Sequence, residues 1–194
     1  MPMKFGTKVI HAGQKPDPVT GAIMTPIYQT STYVQESPGK HKGYAYARGK
    51  NPTRTALEKC IAELENARYG LCFSSGMGAT DAVAKLLRPG DEVITGDDLY
   101  GGTYRMFTKI FAHYGIKFHF IDLKDAANIK KYITPKTKLL WVETPTNPTL
   151  QIIDIAACAK IAKENKIIFA VDNTFASPYL QTPMDLGADI VMHS

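Results

Sequence analysis

Cysteine is scarce in this chain of 194 residues, and the three present, Cys60, Cys72 and Cys158, stand far apart. That spacing excludes a disulfide framework and a thiolate metal cluster. Cys60 and Cys158 fall in helical patterns and Cys72 in a strand pattern, which predicts reduced, buried thiols in a cytoplasmic protein. Long apolar runs are missing, at the N-terminus as elsewhere, so neither export nor a membrane-spanning segment is expected. The net charge is only +5, without a dense Lys/Arg run or zinc-finger spacing, so nucleic acid is not an expected partner. Neither a Gly-x-Ser-x-Gly elbow nor a His-Glu-x-x-His helix occurs, which argues against the common hydrolase and metallopeptidase mechanisms. His11, His41, His113 and His119 have no nucleophile or ligand neighbour in sequence and read as structural; no metal site is expected.

Hydrophobic residues make up 44% and charged residues 21%, a balance that suits one globular domain with a real core. Residues 1 to about 50 differ from the rest. Gly6, Gly13, Pro16, Pro18, Gly21, Pro26, Pro38, Gly39, Gly43 and Gly49 punctuate them, and no helical period outlasts a turn. Ile27, Tyr28, Tyr33, Val34, Tyr44 and Tyr46 make the segment too apolar for a solvated tail, so an extended arm lying on another subunit is expected. From Asn51 the chain alternates. Helices are expected at about 53–65, from the turn 74–79 to about 87, and at 102–114, 126–132 and 155–164. Strands are expected at 69–73, 92–95, 117–121, 138–142, 167–172 and 190–192. Short apolar strands separated by helices predict an α/β fold with a mostly parallel sheet and right-handed crossovers.

The chemistry is expected at the C-terminal ends of those strands, where open α/β sheets place their ligands. Ile167–Val171 is apolar without alternation, a strand buried on both faces, and it ends in Asp172. A carboxylate there either caps the next turn or faces a cationic group. Ser74–Ala79 is a turn of small residues opening a helix, able to present N–H groups to a phosphate; it lacks the P-loop ending and the dinucleotide spacing of glycines. Asp97 and Asp98 read as caps, and Tyr100, beside Gly101 and Gly102, is placed either against a planar ligand or half in the core. Asn147, in the loop 144–148, offers an amide to a ligand or an Asx turn before Pro148. Arg48 shares one side of an extended piece with Tyr46 and serves either a phosphate or a surface ion pair. His193 stands just past the last strand.

Together, Tyr46-Ala-Arg48 with Asn51-Pro52-Thr53, Ser75-Gly76-Met77, Leu99 to Thr103, Glu143 to Pro148 and Val171 to Thr174 resemble the Cys/Met-metabolism family of pyridoxal-phosphate-dependent enzymes. The likeness covers nearly the whole chain, with the motifs in the family's order. It implies the aspartate-aminotransferase-like (type I) fold: an N-terminal arm, here 1–50, then a large cofactor domain, here 51–194, then a smaller C-terminal domain. It implies pyridoxal 5'-phosphate as cofactor and a homotetramer built from dimers with shared sites. Gly76 and Met77 would give backbone N–H groups to the cofactor phosphate and Ser194 its hydroxyl. Tyr46 and Arg48 would reach the same phosphate from a neighbouring subunit. Tyr100 would stack on the ring and assist proton transfer, Asn147 would lie near the ring hydroxyl, and Asp172 would pair with the ring nitrogen. The lysine that the family couples to the cofactor is expected about three residues beyond Ser194. The chain is thus expected to be the N-terminal part of a longer enzyme and inactive alone.

The motifs around Tyr46 and Gly102 resemble the γ-acting branch more than cystathionine β-lyase. Cleavage of cystathionine to cysteine, 2-oxobutanoate and ammonia is therefore expected. Cystathionine γ-synthase, joining cysteine to an activated homoserine, is the alternative. Methionine γ-lyase fits less well, because cysteine is typical there at the place of Gly102. A nicotinamide-dependent oxidoreductase would suit the alternation but not the missing glycine fingerprint.

Overall fold

The computed structural model describes residues 3–194. Its contacts divide the chain into two compact units, Met1–Cys72 and Phe73–Ser194.

The N-terminal unit is built on helix α2 (Pro52–Leu64). Asn51 starts it by accepting hydrogen bonds from the Thr53 and Arg54 N–H groups, and Pro52 occupies the first turn, where its missing N–H costs nothing. Helix α1 (Phe5–His11) is a departure from expectation. Its apolar period is too short to read from sequence, and it is held instead by tertiary contact. Lys8 Nζ donates to Glu63 O at 3.1 Å and to Asn66 Oδ1 at 2.9 Å. The chain leaves α1 at Gly13 (φ +72°), which lies so close to α2 that a side chain would overlap the Cys60 N–H and Lys59. The remainder of the segment is irregular but pinned. Thr53 Oγ1 donates to Pro26 O, Tyr28 N–H donates to Thr53 Oγ1, and the Tyr28 hydroxyl donates to Asp17 Oδ2. Residues 44–48, expected as extended, are so only as far as Tyr46. Tyr33 N–H donates to Ala45 O and Ala47 N–H to Ser31 O about an antiparallel bridge between Thr32 and Tyr46, after which residues 47–49 turn and the Gly49 and Lys50 N–H groups donate to Tyr46 O.

The stretch 69–73, expected as a strand, carries no strand pairing. It has the alternating apolar residues, but Tyr69 and Leu71 are exposed and a strand without a neighbour has no ladder to stabilise it. Cys60 and Cys72 are half-buried rather than buried; only Cys158 is fully enclosed.

The C-terminal unit is a five-stranded, all-parallel sheet in the order β2-β1-β3-β4-β5. The strands are β1 (Glu92–Gly96), β2 (Lys117–Ile121), β3 (Thr137–Glu143), β4 (Ile168–Asp172) and β5 (Ile190–Met192). Helices α3 (Gly76–Ala84), α4 (Gly101–Lys109), α5 (Ile155–Glu164) and the short α6 (Ser177–Leu180) connect them, with 3-10 segments between. The period-2 geometry of strands sorts the apolar side chains onto two faces. Val93, Leu139, Trp141 and Ala170 pack with Val83 and Ala84 of α3 and Phe107 of α4. Ile94, Leu140, Val142, Phe169 and Val171 pack with Cys158, Ile161 and Ala162 of α5. Both faces are dry, which is why these strands read as continuous apolar runs.

Three expected helices came out shorter or tighter, the first being α3, which ends at Ala84 instead of near Leu87. The helix at 102–114 breaks at Ile110 (φ −118°), and residues 111–114 turn as a 3-10 segment that brings Phe111 into the core and ends at Gly115 (φ +81°). Residues 126–131 also form a 3-10 segment, begun by Asp125 accepting from the Ala127 N–H. Among the described residues no helix is long and apolar enough to cross a membrane.

Candidate active site

The order β2-β1-β3-β4-β5 reverses direction at β1, so the connections after β1 and β3 diverge and leave a crevice at their C-terminal ends. A cavity of about 420 Å³ opens there, lined by residues of the C-terminal unit alone. Gly76, Met77, Tyr100, Asn147, Asp172 and Ser194, separated by up to 118 positions in sequence, all contribute to its wall. Tyr46 and Arg48 belong to the N-terminal unit, where Arg48 Nη2 donates to the Tyr46 hydroxyl at 3.1 Å and the guanidinium stacks over the Tyr46 ring at 5.0 Å.

One end of the cavity is the start of α3. Ser75 caps the helix by accepting from the Gly78 N–H at 3.1 Å, which leaves the Gly76 and Met77 N–H groups without helical partners. Gly76 is glycine for a steric reason: a methyl group there would overlap Ser194 Oγ and Cβ. Two free N–H groups, a helix N-terminus and a facing hydroxyl make a cradle for an oxyanion. Gly102 is similarly restricted, since a methyl would overlap the Tyr100 ring and press on Met77 Sδ at 3.0 Å.

The other end is carboxylate. Asp172, 5% exposed at the tip of β4, accepts from the Thr174 N–H (3.0 Å) and hydroxyl (2.6 Å), both on Oδ1, which leaves Oδ2 for a ligand. Thr174 Oγ1 also accepts from the Ser194 N–H at 3.1 Å, so the oxyanion cradle and the acid are joined by one hydrogen-bonded chain. Burial raises the Asp172 carboxyl above its ordinary range, and the Thr174 bonds and the nearby His193 only partly offset that.

Glu143, quoted above only as part of a motif, is the residue that sequence reasoning missed. It ends β3 directly beside Asp172 in the parallel register. Its carboxyl accepts the Tyr100 N–H at 2.8 Å, and the Asn147 N–H lies near enough to favour its ionised form. Burial pushes it up to about 7; the hydrogen bonds from Tyr100 and Asn147 oppose that, and the charges of Asp172 and Asp98 add to it. Neighbouring strands lie ~4.8 Å apart, so two ionised carboxylates there would repel by on the order of 3 kcal/mol at an effective dielectric of ~20. The signal available in sequence was the acid itself at the end of the apolar run Leu139–Val142, the same kind of pattern that singled out Asp172.

Asp98 is not a helix cap. Its Oδ2 accepts from the Thr146 and Thr149 hydroxyls and ties the loop bearing Asn147 to the connection bearing Tyr100. Burial would raise its carboxyl, but those bonds outweigh it and hold Asp98 below its ordinary range. Thr103 also lines the cavity, with a buried hydroxyl that has no hydrogen-bond partner. Thr80 lies beside it and donates to Gly76 O at 3.1 Å.

These features fit an elongated ligand that is anionic at one end and cationic at the other. Pyridoxal 5'-phosphate has that form. The cradle at Gly76, Met77 and Ser194 would take its phosphate, Tyr100 and Asn147 would flank its ring, and the buried Asp172 would meet its ring nitrogen.

A family model described as "Cys/Met metabolism PLP-dependent enzyme" matches residues 6–194. The chain is 55% identical over 189 residues to a cystathionine beta-lyase of Coxiella burnetii, covering 97% of this chain and 49% of that protein. It is 54% identical over 190 residues to a probable cystathionine gamma-synthase of Herpetosiphon aurantiacus, covering 98% and 60%. The crystal structure of cystathionine gamma-lyase from Lactobacillus plantarum complexed with L-serine superposes with a TM-score of 0.96 at 48% identity, covering 99% of this chain and 50% of that one. The chain spans about half the length of the curated relatives it matches.

Proposed function

The chain belongs to the Cys/Met-metabolism family of pyridoxal-phosphate-dependent enzymes, with the type I fold of that family, and from this premise we propose that the protein containing it cleaves cystathionine by γ-elimination to cysteine, 2-oxobutanoate and ammonia. The observation that carries the reading is Asp172: a buried carboxylate on a rigid strand end, beside a second buried carboxylate, calls for a cationic partner at that point.

When bound, the cofactor supplies a place for the electron pair left behind as a substrate loses its α-proton. The chain's own residues hold it in place. Asp172 would keep the ring nitrogen positively charged, Gly76, Met77 and Ser194 would donate hydrogen bonds to the phosphate, and Tyr100 would cover the ring and stand by the proton-transfer path. Tyr46 and Arg48 would complete the phosphate site of a neighbouring subunit in a homotetramer. Their support is that both are held together, with Tyr46 half-exposed, on a segment pinned at its base but irregular along its length. A second reading is γ-replacement joining cysteine to an activated homoserine; relatives named for β-lyase, γ-synthase and γ-lyase match at 55%, 54% and 52% identity, so identity does not separate the reactions and the assay must.

The test uses the full-length protein. It should be yellow, absorbing at about 420 nm through the lysine-coupled cofactor. It should release 2-oxobutanoate from cystathionine without added cysteine acceptor. A colourless protein that binds nicotinamide instead would overturn the cofactor assignment. Turnover only with activated homoserine and cysteine would replace the lyase with the synthase.

A further inference from the structure

Glu143 takes no part in the reading above, yet it is buried at the centre of the cavity wall. Its carboxyl accepts the N–H of Tyr100, and the N–H of Asn147, on a different segment, lies near enough to favour its ionised form. Those side chains are the ones that flank the ring in the assignment made above. It also stands beside Asp172 in register. We propose that Glu143 is a positioning residue of this site, one that sets the Tyr100 and Asn147 segments around the ligand ring and is charge-coupled to the ring-nitrogen partner Asp172 on the neighbouring strand. This rests on the pyridoxal-phosphate reading of the cavity.

The coupling has a definite sign. The groups facing Glu143 are Asp172 from β4, with His193 near that carboxylate, Asp98 and the Tyr100 N–H from the β1–α4 connection, and Asn147 from the loop after β3. With the cavity free of a cation, Glu143 holds a proton up to about pH 7. A cation pairing with Asp172 cancels the negative charge that adds to the effect of burial, so the carboxyl ionises at a lower pH than in the empty cavity. The ionised form is then the stronger acceptor for the Tyr100 and Asn147 N–H groups. Binding therefore releases a proton from Glu143, and this group's share of affinity grows as the pH rises through about 7.

The experiment uses full-length protein stripped of cofactor, with pyridoxamine 5'-phosphate as a probe that binds without coupling to a lysine. Its dissociation constant is measured from pH 6 to 8 for the parent, Glu143→Gln and Glu143→Asp. The probe's own titrations are common to all three. The parent should gain about fivefold more affinity across this range than Glu143→Gln, the effect of about one unit of differential shift on a group that titrates at about 7. Glu143→Asp should keep the pH dependence but bind more weakly at every pH, because its carboxylate is withdrawn by a methylene. Thermal unfolding of the stripped protein gives a reading independent of the probe. The unfolded acid titrates near 4.5 and the folded one near 7, so the folded state binds the extra proton between them. Stability should accordingly fall as pH rises from about 5 to 7, and less steeply in Glu143→Gln. If the parent does not bind the probe, the cofactor reading fails and this inference with it. If the parent binds and the Gln profile runs parallel to it, Glu143 alone is refuted. Should the Gln protein not fold, an Asp variant indistinguishable from the parent gives the same refutation.

Discussion

Asp172→Asn removes one charge and leaves almost everything else in place. The amide is nearly isosteric, and its oxygen can still accept the Thr174 N–H and hydroxyl that Oδ1 accepts now. The strand should not move, since Val171 and Phe169 hold β4 from within the core. Under the proposed function, the change falls on the group that would pair with the ring nitrogen. A charge-assisted hydrogen bond in a site this enclosed contributes ~3 kcal/mol, and at ~1.4 kcal/mol per decade its loss corresponds to ~10² in rate. The full-length Asn variant should therefore retain its fold and lose about a hundredfold or more in turnover of cystathionine. Cofactor content by absorbance and α-proton exchange into deuterated solvent should be followed together. Exchange should fall with turnover, because the missing charge acts at the step where the substrate gives up its α-proton. Near-normal exchange at near-normal cofactor content would show that Asp172 is no more than a cap for the turn at Thr174, and the assignment of the ring nitrogen to it would be wrong.

Gly76→Ala should weaken cofactor retention, since the added methyl must displace Ser194 from the oxyanion cradle at a cost of ~1–3 kcal/mol; unchanged affinity in equilibrium dialysis would remove Gly76 from the site. Arg48→Ala should lower cofactor affinity while leaving the C-terminal unit folded. In hybrids of an Arg48→Ala chain with a chain lacking the coupling lysine, the two defects fall in the same site if the arm acts in trans, which leaves one intact site. Hybrids without an active site would reject the shared arrangement.

Much of this was legible in the sequence because it depends on local rules. The period of α5 and its Asp154 cap, which accepts from the Ala157 N–H, mark that helix from Ile155 to Glu164 without outside help. The unbroken apolar runs of β3 and β4 announce a sheet covered on both faces, and the acid at the end of β4 announces a site. The small residues from Ser74 to Gly78 announce a helix start fit for a phosphate. What sequence could not decide was anything that depends on a partner brought from far along the chain. Residues 69–73 have the composition of a strand but carry no strand pairing, and α1 has too short a period to be read yet is held by α2. Asp98 has the look of a cap and is instead claimed by the Thr146 and Thr149 hydroxyls across the crevice. Glu143 is the clearest case. An acid at a strand end is unremarkable by itself. Its environment follows from the register that sets it beside Asp172 and from the two loops that give it their N–H groups, and register is a property of the folded sheet.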